Sequence, residues 1–370
     1  MKIPLFKPRI REEAIQAVAD VLRSGWIGLG PVTAEFERQF AEFIGTPHCV
    51  ALNSCTSALH LCLRLQNLPR DAEVITTPVT FVSTNHAILY EGFVPVFADI
   101  DPRTGCLDPA DVRWRITERT GAIMLVHFGG CPAELDEFYA IGKEFGIPII
   151  EDCAHACGAA YRGRRIGSTG TCHAFSFHAV KNLPMGDGGA ITVPSVEADQ
   201  RLRSLRWLGI DRSTFERSRE STRQAYKWEY AVQEVGFKYH MNDISAAIGL
   251  AQLEVLDAEN ERRRELALLY DQELAGTPGI RLTRYPDDRV SSRHLYWVLA
   301  EQRDGLVDAL RAHGIDCGVH YARNDQYAMY EEAELPQVAA FCARVVSLPL
   351  YLDLTEDDVA MVCQAIRKGW

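Results

Sequence analysis

Short apolar runs and stretches of helical periodicity alternate along most of this chain. Cys49–Asn53 is a run of strand length that ends in a polar turn, and Ser57–Leu65 has the apolar spacing of a helix. Glu73–Thr77 is strand-like and meets Pro78, and Val94–Ala98 is a second short run closed by Asp99-Ile-Asp-Pro102. Ala122–Val126 follows, then a helical period over Glu134–Glu144, then the buried-strand pattern Ile147–Ile150. Ala174–Phe177 and Ala190–Val193 precede a charged helical stretch that runs through Leu208. Strand-like runs separated by helical periods predict βα units on a largely parallel sheet. Residues 211–230 break the pattern: they are polar, rich in Arg and Ser with several aromatics, and predict a loop or an interface segment. Asn242–Leu256 predicts an amphipathic helix with Ile244, Ala247, Ile248, Ala251 and Val255 on one face. Beyond it a smaller α/β unit is expected, with a strand near Tyr296–Leu299 and helices over Asp304–His313 and Glu356–Ile366.

A chain of 370 residues exceeds what one core usually serves. Two domains are therefore expected, a large one over residues 1–250 and a small C-terminal one over 251–370, with the N-terminal segment able to pack on the small one. A formal net charge of −11 argues against nucleic acid or an anionic membrane as the main partner. Any phosphorylated ligand must then be held by local donors. Eleven cysteines, odd in number and irregularly spaced, argue against a disulfide framework in a chain this long. The start, Met1-Lys-Ile-Pro-Leu-Phe-Lys-Pro, lacks the long apolar core and small-residue cleavage site of a signal peptide. No apolar run approaches a membrane span, so a reducing cytoplasm is the expected location.

The candidate chemistry gathers where strands end. Ser176-Phe-His-Ala-Val-Lys181-Asn-Leu-Pro-Met-Gly186-Asp-Gly-Gly189 places a lysine in a glycine-rich turn just past an apolar strand. Some thirty residues upstream, Ile147–Ile150 runs into Glu151-Asp152. In a wound α/β sheet both sites fall at carboxyl ends of strands, where ligands bind. A lysine and a carboxylate brought together there suit pyridoxal phosphate (PLP): Lys181 forms the Schiff base, and Asp152 keeps the pyridine nitrogen protonated. His155, three residues on, can reach the cofactor's phenolic oxygen. Asn53-Ser-Cys-Thr56-Ser57-Ala-Leu59 joins a strand to a helix, whose N-terminus is an anion site. Phosphate binding is assigned to Thr56 and Ser57, with Ser176 as a third donor and Phe81 as the ring's stacking partner. Asn242 and Asp243 are candidate caps of the following helix. Cys153-Ala-His155-Ala-Cys157 lacks the spacing and second ligand pair of a structural zinc site, and its cysteines read as small buried residues.

With those residues assembled, the chain resembles the DegT/DnrJ/StrS aminotransferases, PLP-dependent sugar aminotransferases, nearly end to end. The resemblance rests on Ser24-Gly-Trp-Ile-Gly-Leu-Gly-Pro31, Asn53–Leu59, Pro78–Phe81, Val126-His-Phe-Gly129 and Glu151-Asp-Cys-Ala-His155. It continues through Ser176-Phe177 with Lys181, Gly186-Asp-Gly-Gly189, Asn242-Asp-Ile, Ala246-Ala-Ile-Gly249 and Ser347-Leu-Pro-Leu350. It implies the aspartate-aminotransferase fold: a large PLP domain with a mostly parallel central sheet flanked by helices, plus a smaller C-terminal α/β domain. It also implies a homodimer with shared active sites, in which Asn242 reaches the phosphate of the neighbouring subunit's cofactor. Three positions depart from the family's habit: His155 stands where glutamine is frequent, Cys55 where glycine is common, and Asp187 where glutamate is usual. Because Lys181 is present, transamination is favoured over the sugar dehydration performed by members with histidine there. The expected reaction is ping-pong, with glutamate as amino donor, pyridoxamine phosphate as the carrier and a nucleotide-linked keto sugar as acceptor. A keto-cyclitol or small phosphorylated ketone is the alternative acceptor, followed by a dehydratase or epimerase and a non-catalytic PLP-binding regulator. Arg212, Arg217, Tyr226, Lys227 and Trp228 are candidates for the nucleotide, and His320, Tyr321 and Arg323 for the sugar pocket.

Overall fold

The structure, a computed structural model, describes residues 2–170, 172–210 and 230–370. Its strands are β1 (His48–Leu52), β2 (Glu73–Thr76), β3 (Val94–Phe97), β4 (Thr120–Val126), β5 (Ile149–Asp152), β6 (Ala160–Tyr161) and β7 (Arg164–Arg165). They continue with β8 (Cys172–Ser176), β9 (Gly189–Val193), β10 (Ile280–Leu282), β11 (Arg289–Val290), β12 (Tyr296–Ala300) and β13 (Val345–Leu348). The central sheet has the order β1-β9-β8-β5-β4-β2-β3. Pairing is parallel from β8 across to β3, whereas β9 runs antiparallel to both its neighbours. The fold is thus mixed α/β with a mostly parallel sheet, as the pattern predicts.

The single reversed strand has a geometric result. Gly189, at the amino end of β9, pairs with Leu52 at the carboxyl end of β1 and with Ser176 at the carboxyl end of β8. Asp152 ends β5 two residues along the same edge, opposite Val126 and Ala174. A Cβ on Gly189 would lie on the Ser54 carbonyl, so only glycine lets the chain leaving β1 pass so close.

Both faces of the sheet are covered, which is why its strands are near-continuous apolar runs. On β4, Ile123 and Leu125 enter one core with Phe36, Phe40, Phe138 and Phe177. Ala122 and Met124 enter the other, with Ala58, Leu59 and Leu63 of the helix Cys55–Leu65. Polar exceptions sit together. The Glu151 carboxylate accepts from His127 Nε2 at 3.0 Å and Tyr139 Oη at 2.5 Å, and pairs with His173 Nε2 at 3.3 Å. His173 Nδ1 faces the Thr192 carbonyl at 3.2 Å, so both its nitrogens meet acceptors and the ring is held as a cation.

A second sheet, β10-β12-β13, packs its own core from Leu266, Tyr270, Tyr296, Val298, Val346 and Val362. Ile3 joins that core and bridges to Ile315, bringing the chain's start against its C-terminal part. β11, β6 and β7 form a third, small sheet. The amphipathic helix expected to reach Leu256 ends instead at Leu253, and a separate helix begins at Leu256. Its predicted stripe is a poor description: Ala247 and Ala251 are buried, but so are Ala246, Gly249, Gln252 and Leu253, while Ile244 and Ile248 are half-buried. The cause is that the helices Glu12–Ser24 and Pro31–Ile44 both pack against it, and the missing side chain of Gly249 lets Met185 and Phe36 close in. Among the described residues no helix is long and apolar enough to cross a membrane.

Candidate active site

A cavity of about 410 Å3 opens at the carboxyl edge of the sheet, lined by Thr56, Phe81, Thr84, Asp152, His155, Ser176 and Lys181. Lys181 lies in the connection from β8 to β9, whose ends are tied together. Phe177 N donates to the Gly188 carbonyl and Met185 N to the Phe177 carbonyl, both at 2.9 Å. The neighbouring Asn182 is buried and donates to Asn260 Oδ1 at 2.7 Å and to the Ser292 carbonyl at 2.8 Å. The lysine therefore stands on a fixed backbone. Its Nζ is 3.4 Å from His294 Nε2. Burial pushes its pKa down to about 8, against the opposing pull of Cys55 and Asp152. About a tenth of it is then neutral at pH 7, far more than for a solvated lysine, which favours a nucleophilic role.

Asp152 is 3 % exposed. One oxygen accepts from Ala154 N at 3.0 Å and the other from Thr84 Oγ1 at 2.7 Å, and Thr84 in turn meets Thr80 Oγ1 at 2.8 Å. Burial raises its pKa, opposed by those donors and by Lys181. Lys181 is the nearby cation that acts on it, without a direct ion pair among the described residues. His155 is fixed by the backbone: its Nδ1 accepts from Gly129 N at 3.2 Å, which puts the ring proton on Nε2. That proton faces Tyr321 Oη at 3.0 Å, and burial, with Lys181 and His320 nearby, keeps the ring neutral. His155 thus reaches the cavity in company with Tyr321.

At the other end, the helix Cys55–Leu65 points its amino terminus into the cavity, where Ser54 and Cys55 join Thr56 in the lining. The first amides of a helix have no partner within it and carry its positive end, so they suit a phosphate. Ser57 is placed differently from Thr56. It lies outside the lining, and its hydroxyl donates to Asn53 Oδ1 at 2.7 Å while its amide is capped by Ser54 Oγ at 3.1 Å. Ser54 is the cap of this helix.

Phe81 is the cap residue of the helix Val82–Tyr90 and is 59 % exposed at the mouth of the cavity. Asn242 is exposed outside the cavity, with its Oδ1 accepting from Ser245 N at 2.9 Å as a helix cap. Asp243, its companion, caps a different helix: it accepts from Gly30 N, Val32 N, Thr33 N and Thr33 Oγ1 at the start of Pro31–Ile44. His320 and Tyr321 line the cavity. Arg323 does not; its guanidinium is engaged by Asp325 and the Ala333 carbonyl. Arg212, Arg217, Tyr226, Lys227 and Trp228 lie outside the described residues. Thr84, His294 and Phe6 were missed. Thr84 stands three residues after Phe81, a spacing that could have found it, whereas His294 and Phe6 arrive from distant segments that carry no local signal.

PLP needs an amine for its aldehyde, an acceptor for its ring N–H and donors for its phosphate. Lys181, the buried Asp152 and the Ser54–Thr56 helix start offer all three around one cavity, so the residues fit the cofactor. Comparison with known proteins agrees. AtS13 from Actinomadura melliaura, solved by crystallography, is 40% identical, with a TM-score of 0.93 over 100% of this chain and 99% of that one. The sugar aminotransferase CalS13 from Micromonospora echinospora is 36% identical, with a TM-score of 0.92 over the whole of both chains. The spore coat polysaccharide biosynthesis protein SpsC of Bacillus subtilis is 37% identical over 99% of this chain and 96% of its own. A further structural neighbour, 30% identical, is known in both its PLP and its PMP form. The model of the DegT/DnrJ/EryC1/StrS aminotransferase family matches residues 8–367. A match of that span leaves almost no part of the chain unaccounted for: the protein belongs to the DegT/DnrJ/EryC1/StrS family and is a PLP-dependent aminotransferase of fold type I.

Proposed function

We propose that the protein transfers the amino group of glutamate to a keto group of a nucleotide-linked deoxysugar, in two half-reactions. One observation carries this reading: the enclosed amine of Lys181 and the buried carboxylate of Asp152 open on the same cavity. The similarity to CalS13 and SpsC supports a sugar acceptor. PLP, when bound, supplies an electron sink for the carbanion formed as the substrate carbon loses its proton. Asp152 would accept the ring N–H and so favour the positive charge that makes the sink effective. Thr84 and the Ala154 amide hold Asp152 in place. The amides of Cys55 and Thr56, with Ser176, bind the phosphate. Lys181 Nζ would hold the cofactor and, when free, would take the proton from the substrate carbon and return it, as general base and acid. Phe81 covers the ring. In a homodimer, Asn242 extends to the neighbouring subunit's phosphate, which accounts for its exposure outside its own cavity. Buried free thiols and the lack of a basic surface charge support a cytoplasmic enzyme without nucleic-acid partners.

The test is an absorbance scan before and after glutamate. Conversion to the pyridoxamine form, and recovery of the original band only with nucleotide-linked keto sugars, is the expected outcome. Recovery with a free cyclitol alone would move the acceptor to that class. Lys181→Ala is expected to abolish multiple turnover while the cofactor still binds noncovalently; sustained turnover in that variant removes the assignment.

A further inference from the structure

The groups around Lys181 form a chain of fixed polarity. Asn260 Nδ2 donates to the Cys157 carbonyl at 2.9 Å, which leaves Asn260 Oδ1 to accept from Asn182. Both hydrogens of Asn182 are then committed, one to Asn260 and one to the Ser292 carbonyl. Its Oδ1 lies 3.1 Å from His294 Nδ1 and can only accept, so the ring proton of His294 sits on Nδ1. In a neutral imidazole the other nitrogen is then a bare lone pair, and that nitrogen faces Lys181 Nζ at 3.4 Å. Asn182, Asn260 and His294 are each no more than 4 % exposed, so water does not compete for these bonds. The ring plane is also set, between Phe6 at 5.9 Å and 11° and His155 at 4.5 Å and 32°.

We propose that His294 is a positioning residue: its lone pair accepts an N–H from Lys181 whenever the lysine is released, holding the amine in place and stabilising its protonated form. The inference rests on the reading of Lys181 as the cofactor's lysine. A neutral Lys181 that donates to His294 has its own lone pair turned away from the ring, free to attack. An ammonium at the same atom keeps a hydrogen-bond partner in a place where water is scarce. Other charged and titratable groups share this space: Asp152 and Cys55 act on Lys181, and His155, His320 and Arg263 act on His294. Glu259 and Arg263 border a small cavity of about 20 Å3 beside Lys181 and His294. Burial, with Lys181 adjacent, holds His294 neutral, which keeps the lone pair available.

The experiment follows the rate at which PLP bonds to the lysine of the apo-protein, as a function of pH. That rate reports the free amine and does not require turnover. His294→Phe, which has no acceptor, is expected to move the inflection down by about one pH unit. It should also lower kcat by about tenfold or more with little change in KM. His294→Gln, whose amide oxygen can accept, is expected to restore much of both. Asn182→Leu unlocks the ring proton and should shift the inflection in the same direction, yet add nothing in the His294→Phe background. An unshifted inflection in folded His294→Phe overturns the proposal, and so does an additive effect of Asn182→Leu. If Asn182→Leu does not fold, the two His294 variants decide between them. Borohydride reduction and peptide mapping separate the two readings. Cofactor on another lysine defeats the assignment of Lys181, whereas cofactor on Lys181 with an unshifted inflection defeats only the role of His294.

Discussion

A carboxylate enclosed at the edge of a sheet is costly to keep as an anion, even with hydrogen-bond donors beside it. Asp152 is in that position, with two hydrogen-bond donors and a raised pKa. On the role proposed for it, a protonated pyridine beside Asp152 would ease that cost, each charge stabilising the other. Asp152→Asn keeps the shape and removes the charge. It is expected to lower the glutamate half-reaction by at least about a hundredfold, judged by the usual cost of deleting one preorganised charge or donor. Single-turnover absorbance measurements read this directly, and a rate near that of the wild type would remove Asp152 from the chemistry. Thr84→Val, which takes away one of its donors, should have a smaller effect in the same direction, about tenfold or less.

Among the elements, the loop before Pro31–Ile44 shows how a residue can be legible and its role not. Asp243 reads as a cap of its own helix, but its oxygens cap a helix more than two hundred residues earlier. Asp243→Ala leaves Gly30 N and Thr33 N without acceptors, and should cost about 2 kcal/mol of stability, seen as a lower melting temperature. The sheet strands, the helices next to them, Lys181 and Asp152 were legible because a buried parallel sheet writes itself as apolar runs ending in polar turns. β6, β7 and β11 were not, since a strand of two residues carries no period. The first forty-five residues are a different case: the helix Glu12–Ser24 packs on Asp243–Leu253, while Pro31–Ile44 packs both on that helix and on β1, so neither follows a simple βα unit. Which of Ser54, Thr56 and Ser57 caps the helix was not legible, because they are chemically alike and only the backbone decides. His294 and Phe6 could not be found at all: their role is a juxtaposition, and no short window contains it.

At the scale of the whole molecule, the buried group of Glu151, His127 and His173 joins β4, β5 and β8 and gives stability a pH signature. Burial disfavours the charge on both partners, yet His173 and His127 hold the Glu151 pKa down to about 2, and Glu151 holds that of His173 up to about 9. The histidine's contribution is full below its unfolded pKa, about 6.5, and fades as pH rises through about 9. The carboxylate's is full above about 4.5 and is lost only as pH falls through about 2. His173→Gln should therefore melt well below the wild type at pH 6, with the gap narrowing toward pH 9.5; a gap that stays constant with pH would refute the ion pair. The chain's start is also part of this whole, because Ile3 enters the C-terminal core and Phe6 lies on His294. Removing residues 1–8 should lower both the melting temperature and the rate of cofactor capture. The reversed strand β9 has a last consequence, for timing. Because both ends of the lysine's connection are pinned to one sheet edge, its backbone has no hinge to swing on. On the roles proposed above, the Lys181 amine would travel by rotation about its side-chain bonds, a faster class of motion than a rearrangement of the backbone.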